Sequence, residues 1–159
     1  MSSRILTVEV PLRWGDMDAY RHINNVEMAR IMEEARVAAF GPPPAAPGAE
    51  LTDAPIPLFT QLPSGTQALV AENHIKYRAP LSYSRQPAKV EVWVEKITAA
   101  SLTIEYRIYD PQSGVRCVDA STVLAFFNEP TSRIVRISPE QRQLLSLIHI
   151  SEPTRQAEI

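Results

Sequence analysis

Cysteine, histidine and excess charge of either sign are scarce in this sequence. One of its 159 residues is cysteine and three are histidine, which is too few for a disulfide framework or a multi-cysteine zinc site. The 16 lysines and arginines nearly balance the 18 aspartates and glutamates, so no basic face is expected for nucleic acid. No apolar run approaches the roughly 20 residues of a membrane span, and Met1 to Val10 lacks a secretory signal pattern. We therefore expect one cytoplasmic domain with neither nucleic acid nor membrane as a partner.

The first 40 residues contain one predicted strand and one predicted helix. Residues Ile5 to Leu12 (ILTVEVPL) alternate in polarity, as in a strand with one buried face. Asn24 is a favourable N-cap for the helix, and Glu27 stands three residues later, where its side chain can reach back to the cap N–H. The helix is predicted to end near Phe40, because Gly41 and the prolines after it cannot continue it. Its apolar stripe comprises Met28, Ile31, Met32, Ala35 and Ala39.

A proline-rich segment and a series of strands follow the helix. Residues 41–65 contain seven of the 14 prolines and three of the five glycines, which predicts a loop or lid without regular structure. The apolar residues expected to pack part of it down are Ile56, Leu58, Phe59 and Leu62. Strands are predicted at about 69–77, 89–97, 102–109 and 115–127. The whole pattern is typical of an α+β domain in which one helix covers a curled antiparallel sheet.

Polar residues are concentrated just ahead of the helix, in the stretch Arg13 to Arg36 (RWGDMDAYRHINNVEMARIMEEAR). This stretch resembles the signature of the hotdog-fold acyl-CoA thioesterases, the group containing 4-hydroxybenzoyl-CoA thioesterase. The matching residues are Arg13, Trp14, Asp16, Asp18, His22, Asn24, Asn25, Glu34, Ala35 and Arg36. Arg21 stands where that family usually has glycine, and a positive φ there would strain the backbone. The order of elements also matches, so the resemblance covers most of Val8 to Asn128.

The resemblance implies a single hotdog domain over residues 1–144, with a long helix wrapped by a sheet of about five strands. The implied reaction is hydrolysis of an acyl-CoA thioester to a free acid and CoA. The resemblance assigns the catalytic carboxylate to Asp18 and the oxyanion donor to the backbone N–H of Asn25, with His22 and Asn24 binding substrate. A helix N-terminus suits this role, because its unpaired N–H groups and positive dipole end polarise a carbonyl oxygen. Neither a metal nor an added cofactor is implied.

Each of these residues also has a simpler structural interpretation. Asp16 and Asp18 can bond backbone N–H groups in turns, and Asn24 can serve as the helix cap alone. Glu33 can pair with Arg30 at helical spacing or provide a second carboxylate. A non-catalytic acyl-CoA binding or sensing module on the same fold is therefore the alternative function. The basic residues that fit either CoA phosphates or a solvated sheet edge are Lys76, Arg78, Arg85 and Lys89.

The resemblance also implies self-association. In that family two sheets join edge to edge, and the acyl-CoA lies at a subunit interface. Unpaired sheet edges favour such pairing, so a homodimer or homotetramer is expected.

The C-terminal residues 145–159 have an unusual sequence. Leu145 to Arg155 (LSLIHISEPTR) resembles the conceptual translation of a sequencing adapter, so we interpret 145–159 as a non-native tail. The alternative is a native terminal helix over Pro139–Ile150. Because of this ambiguity, His149 supports no functional assignment.

Overall fold

The computed structural model of the protein describes residues 5–42, 53–59 and 62–150. Two helices are found there, α1 (Met28–Phe40) and α2 (Pro139–Leu145). The strands are β1 (Leu6–Val10), β2 (Thr66–Tyr77), β3 (Ala88–Ile97), β4 (Ser101–Tyr109), β5 (Arg116–Asn128) and the two-residue β6 (Arg133–Ile134). Every predicted strand is present, and the predicted helix is α1.

The five long strands form one antiparallel sheet in the order β1-β3-β4-β5-β2, and β6 pairs with β5. Within the described residues, β2 pairs with β5 and has no strand on its other side. The sheet curls around α1, which confirms the predicted α+β hotdog fold. Among the described residues, no helix is long and apolar enough to cross a membrane.

The core lies between α1 and the concave face of the sheet. The predicted stripe of α1 is fully buried: Met28, Ile31, Met32, Ala35 and Ala39 are each at most 2% exposed. Alternate residues of β3 and β4 face it, among them Val92, Ile104 and Tyr106. Arg36 is also buried, although a hydrophobic stripe gives no reason to expect an arginine there.

The start of α1 differs from the predicted capping arrangement. Asn24 does act as a cap, since its side chain accepts a hydrogen bond from the Val26 N–H. The Glu27 carboxylate does not reach back to Asn24, because the Asn24 N–H already donates to the Asp16 carbonyl. Glu27 instead accepts from Arg13 and Arg30. A 3-10 turn over Asn25–Glu27 precedes the α-helix proper.

The described part of the proline-rich segment packs onto the core as predicted. Its apolar residues Ile56, Leu58, Phe59 and Leu62 are buried. The Phe59 ring lies 5.5 Å from that of Phe40 at the end of α1. The predicted lid function concerns residues 43–52, 60 and 61 as well, and these lie outside the described residues.

The chain after Ser138 also packs against the domain. Leu145 and Ile148 are buried, and the Ile150 N–H donates to the Val94 carbonyl of β3. Residues 151–159 lie outside the described part of the chain. The non-native origin of residues 145–159 remains a proposal, since a foreign apolar segment and a native terminal helix can both pack in this way.

Candidate active site

Asp16 holds together the bend that connects β1 to α1. Its side chain is fully buried and accepts hydrogen bonds from the Arg13 backbone N–H and from the Arg13 and Arg30 guanidinium groups. Burial alone would raise the pKa of this carboxyl, but the bonds from Arg13 and the charge of Arg30 outweigh it and lower the pKa. These contacts agree with the structural interpretation of Asp16, in which its carboxylate accepts hydrogen bonds within the bend.

Asp18 has a different environment from Asp16, although only one residue separates them. It is half-buried, and its Oδ1 accepts from the backbone N–H groups of Tyr20 at 2.7 Å and His22 at 3.1 Å. Its own N–H donates to the His22 carbonyl at 2.7 Å. These bonds fix one carboxylate oxygen, while no described residue donates to Oδ2. Oδ2 is thus the oxygen available to a ligand.

The loop between Asp18 and His22 depends on a left-handed backbone at Arg21. The φ angle of Arg21 is 66°, in the region that favours glycine. Its N–H donates to the Asp18 carbonyl, so this conformation closes the turn that presents Asp18. Arg21 therefore adopts a positive φ at the position where the resembling family usually has glycine.

The first turn ahead of α1 presents a free backbone donor. Asn25 is the first residue of the 3-10 turn, and its N–H donates to no described residue, as expected at a helix start. The peptide group between Asn25 and Val26 is fixed by hydrogen bonds at both its carbonyl and its N–H. The Tyr77 hydroxyl donates to the Asn25 carbonyl at 3.3 Å, and the Val26 N–H donates to the Asn24 side chain at 3.2 Å.

Asp18 and Asn25 line one pocket of about 310 Å³. His22 also lines it, so the structure brings together three of the four predicted site residues. Asn24 does not line this pocket and serves as the cap. The remaining lining residues come from the helix start and from β2 and the segment after it: Ile23, Met28, Tyr77, Arg78, Ala79, Pro80 and Leu81.

Sequence reasoning assigned no role to Tyr77, because nothing local in the sequence indicates that the end of β2 meets the start of α1. Arg78 is the one candidate phosphate-binding residue that lines the pocket, and its guanidinium pairs with Asp119, which also pairs with Arg116. Lys76, Arg85 and Lys89 lie outside the pocket lining.

The arrangement is suited to attack on a carbonyl carbon. It combines a carboxylate oxygen without a protein donor and a free N–H at a helix start, as acyl transfer requires. In the part of the chain that the structure describes, no group of three histidine, cysteine, aspartate or glutamate side chains could hold a metal ion.

Comparisons with known proteins agree with this chemistry. A family model described as the thioesterase-like superfamily matches residues 12–145. Similar solved structures include a DHNA-CoA thioesterase from Staphylococcus aureus, with 20% identity, a TM-score of 0.69, and coverage of 96% of this chain and 91% of that one. A protein of the thioesterase superfamily from Jannaschia sp. CCS1 has 16% identity and a TM-score of 0.71, covering 91% and 93% of the two chains. At these identities the structures demonstrate a shared fold. No curated protein gives a significant match.

Proposed function

Because this chain belongs to the thioesterase-like superfamily, we propose that it hydrolyses an acyl-CoA thioester to a free acid and CoA. Family membership supports thioester hydrolysis in general, and the acyl-CoA substrate is the more specific proposal. The observation that carries it is the shared pocket of Asp18 and the Asn25 N–H, with Oδ2 of Asp18 free to act.

In the proposed reaction the thioester carbonyl lies between these two groups. The Asn25 N–H donates to the carbonyl oxygen and stabilises the negative charge that develops there. Asp18 either takes a proton from the attacking water or attacks the carbonyl carbon itself to form an anhydride that water then hydrolyses. In both routes the C–S bond breaks, the acyl group gains a water oxygen, and CoA leaves as its thiol. His22 lines the same pocket as a substrate contact.

The proposal also includes self-association through the free edge of β2. This twelve-residue strand exposes Leu69, Val70 and Tyr77, each between 45% and 47% exposed. A long edge strand with apolar side chains is prone to pair with another strand. Leu69→Lys should shift the protein toward a monomer in analytical ultracentrifugation, whereas Ile134→Lys, at the exposed strand β6, should not. An unchanged mass for Leu69→Lys would contradict this interface.

The direct test measures free thiol released from short, long and aromatic acyl-CoAs by the wild type and by Asp18→Asn. We expect turnover by the wild type and a loss of two or more orders of magnitude in the variant, because the amide can neither attack nor accept a proton. Acyl-CoA binding should survive in Asp18→Asn, since Oδ1 can still accept the Tyr20 and His22 bonds. Binding by both proteins without turnover by either would refute hydrolysis and favour the binding module.

A further inference from the structure

Arg36 carries a positive charge in the core without a carboxylate partner among the described residues. It is 6% exposed, and its Nη1 donates to the Tyr106 hydroxyl at 3.1 Å and the Thr122 hydroxyl at 3.4 Å. Its Nε and Nη2 donate to no described residue. An uncompensated buried charge destabilises a fold, so a nearby anion would be stabilised strongly here.

The hydrogen bonds beyond Arg36 all run in one direction. Tyr106 donates to Thr122 at 3.1 Å, and Thr122 donates to Oδ1 of Asn73 at 2.7 Å. Burial raises the pKa of Tyr106, which keeps its hydroxyl proton available for this bond. The Asn73 carbonyl oxygen is thereby used, and its exposed side chain is left with the two N–H donors of Nδ2. Both ends of the network thus offer donors.

This network lies on the same face of the sheet as the Asp18 pocket. Asn73 and Tyr77 pair with Thr122 and Val118 of β5, whose side chains both face the core, and Tyr77 lines the pocket. Four residues of strand separate Asn73 from Tyr77, or about 13 Å. Eight residues of helix separate Arg36 from the pocket residue Met28, or about 12 Å. The network therefore lies about 12–13 Å from the pocket along both α1 and β2, a distance that an extended acyl chain can span.

We propose that Arg36 and Asn73 recognise a carboxylate at the far end of the acyl group, so that the preferred substrate is an ω-carboxyacyl thioester. This inference rests on the proposed acyl-CoA hydrolysis and concerns the same site. A guanidinium with two nitrogens that donate to no described residue, and an amide NH2 linked to it by two hydrogen bonds through Thr122, match the acceptor oxygens of a carboxylate. A methyl-terminated chain would leave these donors without partners, which is how polar sites reject apolar analogues.

The test compares kcat/KM for two acyl-CoAs of equal length, one ending in a carboxylate and one in a methyl group. We expect the wild type to prefer the carboxylate by at least tenfold. Asn73→Leu should reduce that preference several-fold, and Arg36→Met should abolish it. Lys76→Met is the matched control, because it removes a positive charge from the opposite face of β2. It should affect both substrates equally, since both carry CoA.

Equal or better turnover of the methyl-terminated substrate by the wild type would overturn the inference while leaving hydrolysis intact. An unchanged preference in Asn73→Leu, an exposed position where misfolding is not expected, would overturn the role of this network. Binding of the two acyl-CoAs to Asp18→Asn measures the same discrimination without turnover. A carboxylate preference in binding, reduced by Asn73→Leu, would therefore support the inference even if hydrolysis failed.

Discussion

The hydroxyl of Tyr77, at the end of β2, donates to the backbone carbonyl of Asn25, 52 residues earlier in the chain. This bond connects the edge strand to the peptide that follows the proposed oxyanion donor. This hydrogen bond is solvent-exposed, and Tyr77 itself is 47% exposed. The position of the Asn25 N–H therefore depends on a contact from a distant strand.

Replacing Tyr77 with phenylalanine should slow catalysis without unfolding the protein. Losing one neutral hydrogen bond of about 0.5–1.5 kcal/mol corresponds to roughly a two- to tenfold decrease in kcat. Steady-state kinetics and thermal melting check this expectation. Tyr20→Phe is the matched control, because Tyr20 lies near the pocket on the turn that presents Asp18, is 79% exposed, and its hydroxyl makes no hydrogen bond to a described residue. An equal loss in both variants would contradict a specific role for Tyr77.

Arg21→Gly should stabilise the protein by up to about 1 kcal/mol. The φ of 66° strains any residue with a Cβ atom, and glycine removes that strain at some entropic cost in the unfolded chain. Arg21→Ala is the control that removes the guanidinium but keeps the Cβ, and we expect no gain from it. Chemical denaturation of the three proteins measures the difference. A gain in the alanine variant as large as in the glycine variant would assign the effect to charge.

The buried carboxylate of Asp16 should make the folded state sensitive to acid. Its pKa is lowered on folding, so its stabilising contribution is present above the unfolded value of about 3.9 and is lost as the pH falls through the folded pKa. Asp16→Asn should therefore lower the free energy of unfolding at pH 7 by about 2 kcal/mol. In this variant the free energy of unfolding should also fall less steeply as the pH drops below about 4.

Glu34→Gln is the control for Asp16→Asn. Glu34 pairs with the same arginine, Arg30, but its side chain is 52% exposed. We expect this change to cost less than about 1 kcal/mol, because water screens exposed pairs. Denaturation curves between pH 2 and pH 7 distinguish the two. A parallel acid profile for Asp16→Asn and the wild type would show that other carboxylates, such as Asp119, cause the acid sensitivity.

The packing of the C-terminal segment can be tested by truncation. A chain ending at Leu144 loses the buried side chains of Leu145 and Ile148, whereas a chain ending at Ile150 keeps them. We expect the shorter chain to be less stable by about 2–5 kcal/mol, the usual cost of emptying a core position. Equal stability of the two chains would show that residues 145–150 add nothing to the stability of the domain.

The sequence by itself determined the elements and the part of the pocket that lies just before α1. Periodicity located α1 and the strands within a few residues, because one buried face imposes a regular spacing of apolar side chains. The family resemblance of the polar stretch before α1 pointed to Asp18, His22 and Asn25. These three line one pocket because short-range turns and a helix start bring neighbours in sequence together. The left-handed backbone at Arg21, where the resembling family usually has glycine, is likewise a local property of the turn.

The tertiary structure decided which distant residues meet. Asp16 and Asp18 are one residue apart, yet one is enclosed by two arginines and the other keeps an oxygen free, and only the fold of the bend sets that difference. Tyr77 reaches Asn25, and Arg36 reaches Asn73 through Tyr106 and Thr122, because β2 and β5 lie beside each other in the sheet. Such contacts depend on strand order and register, which local periodicity does not determine.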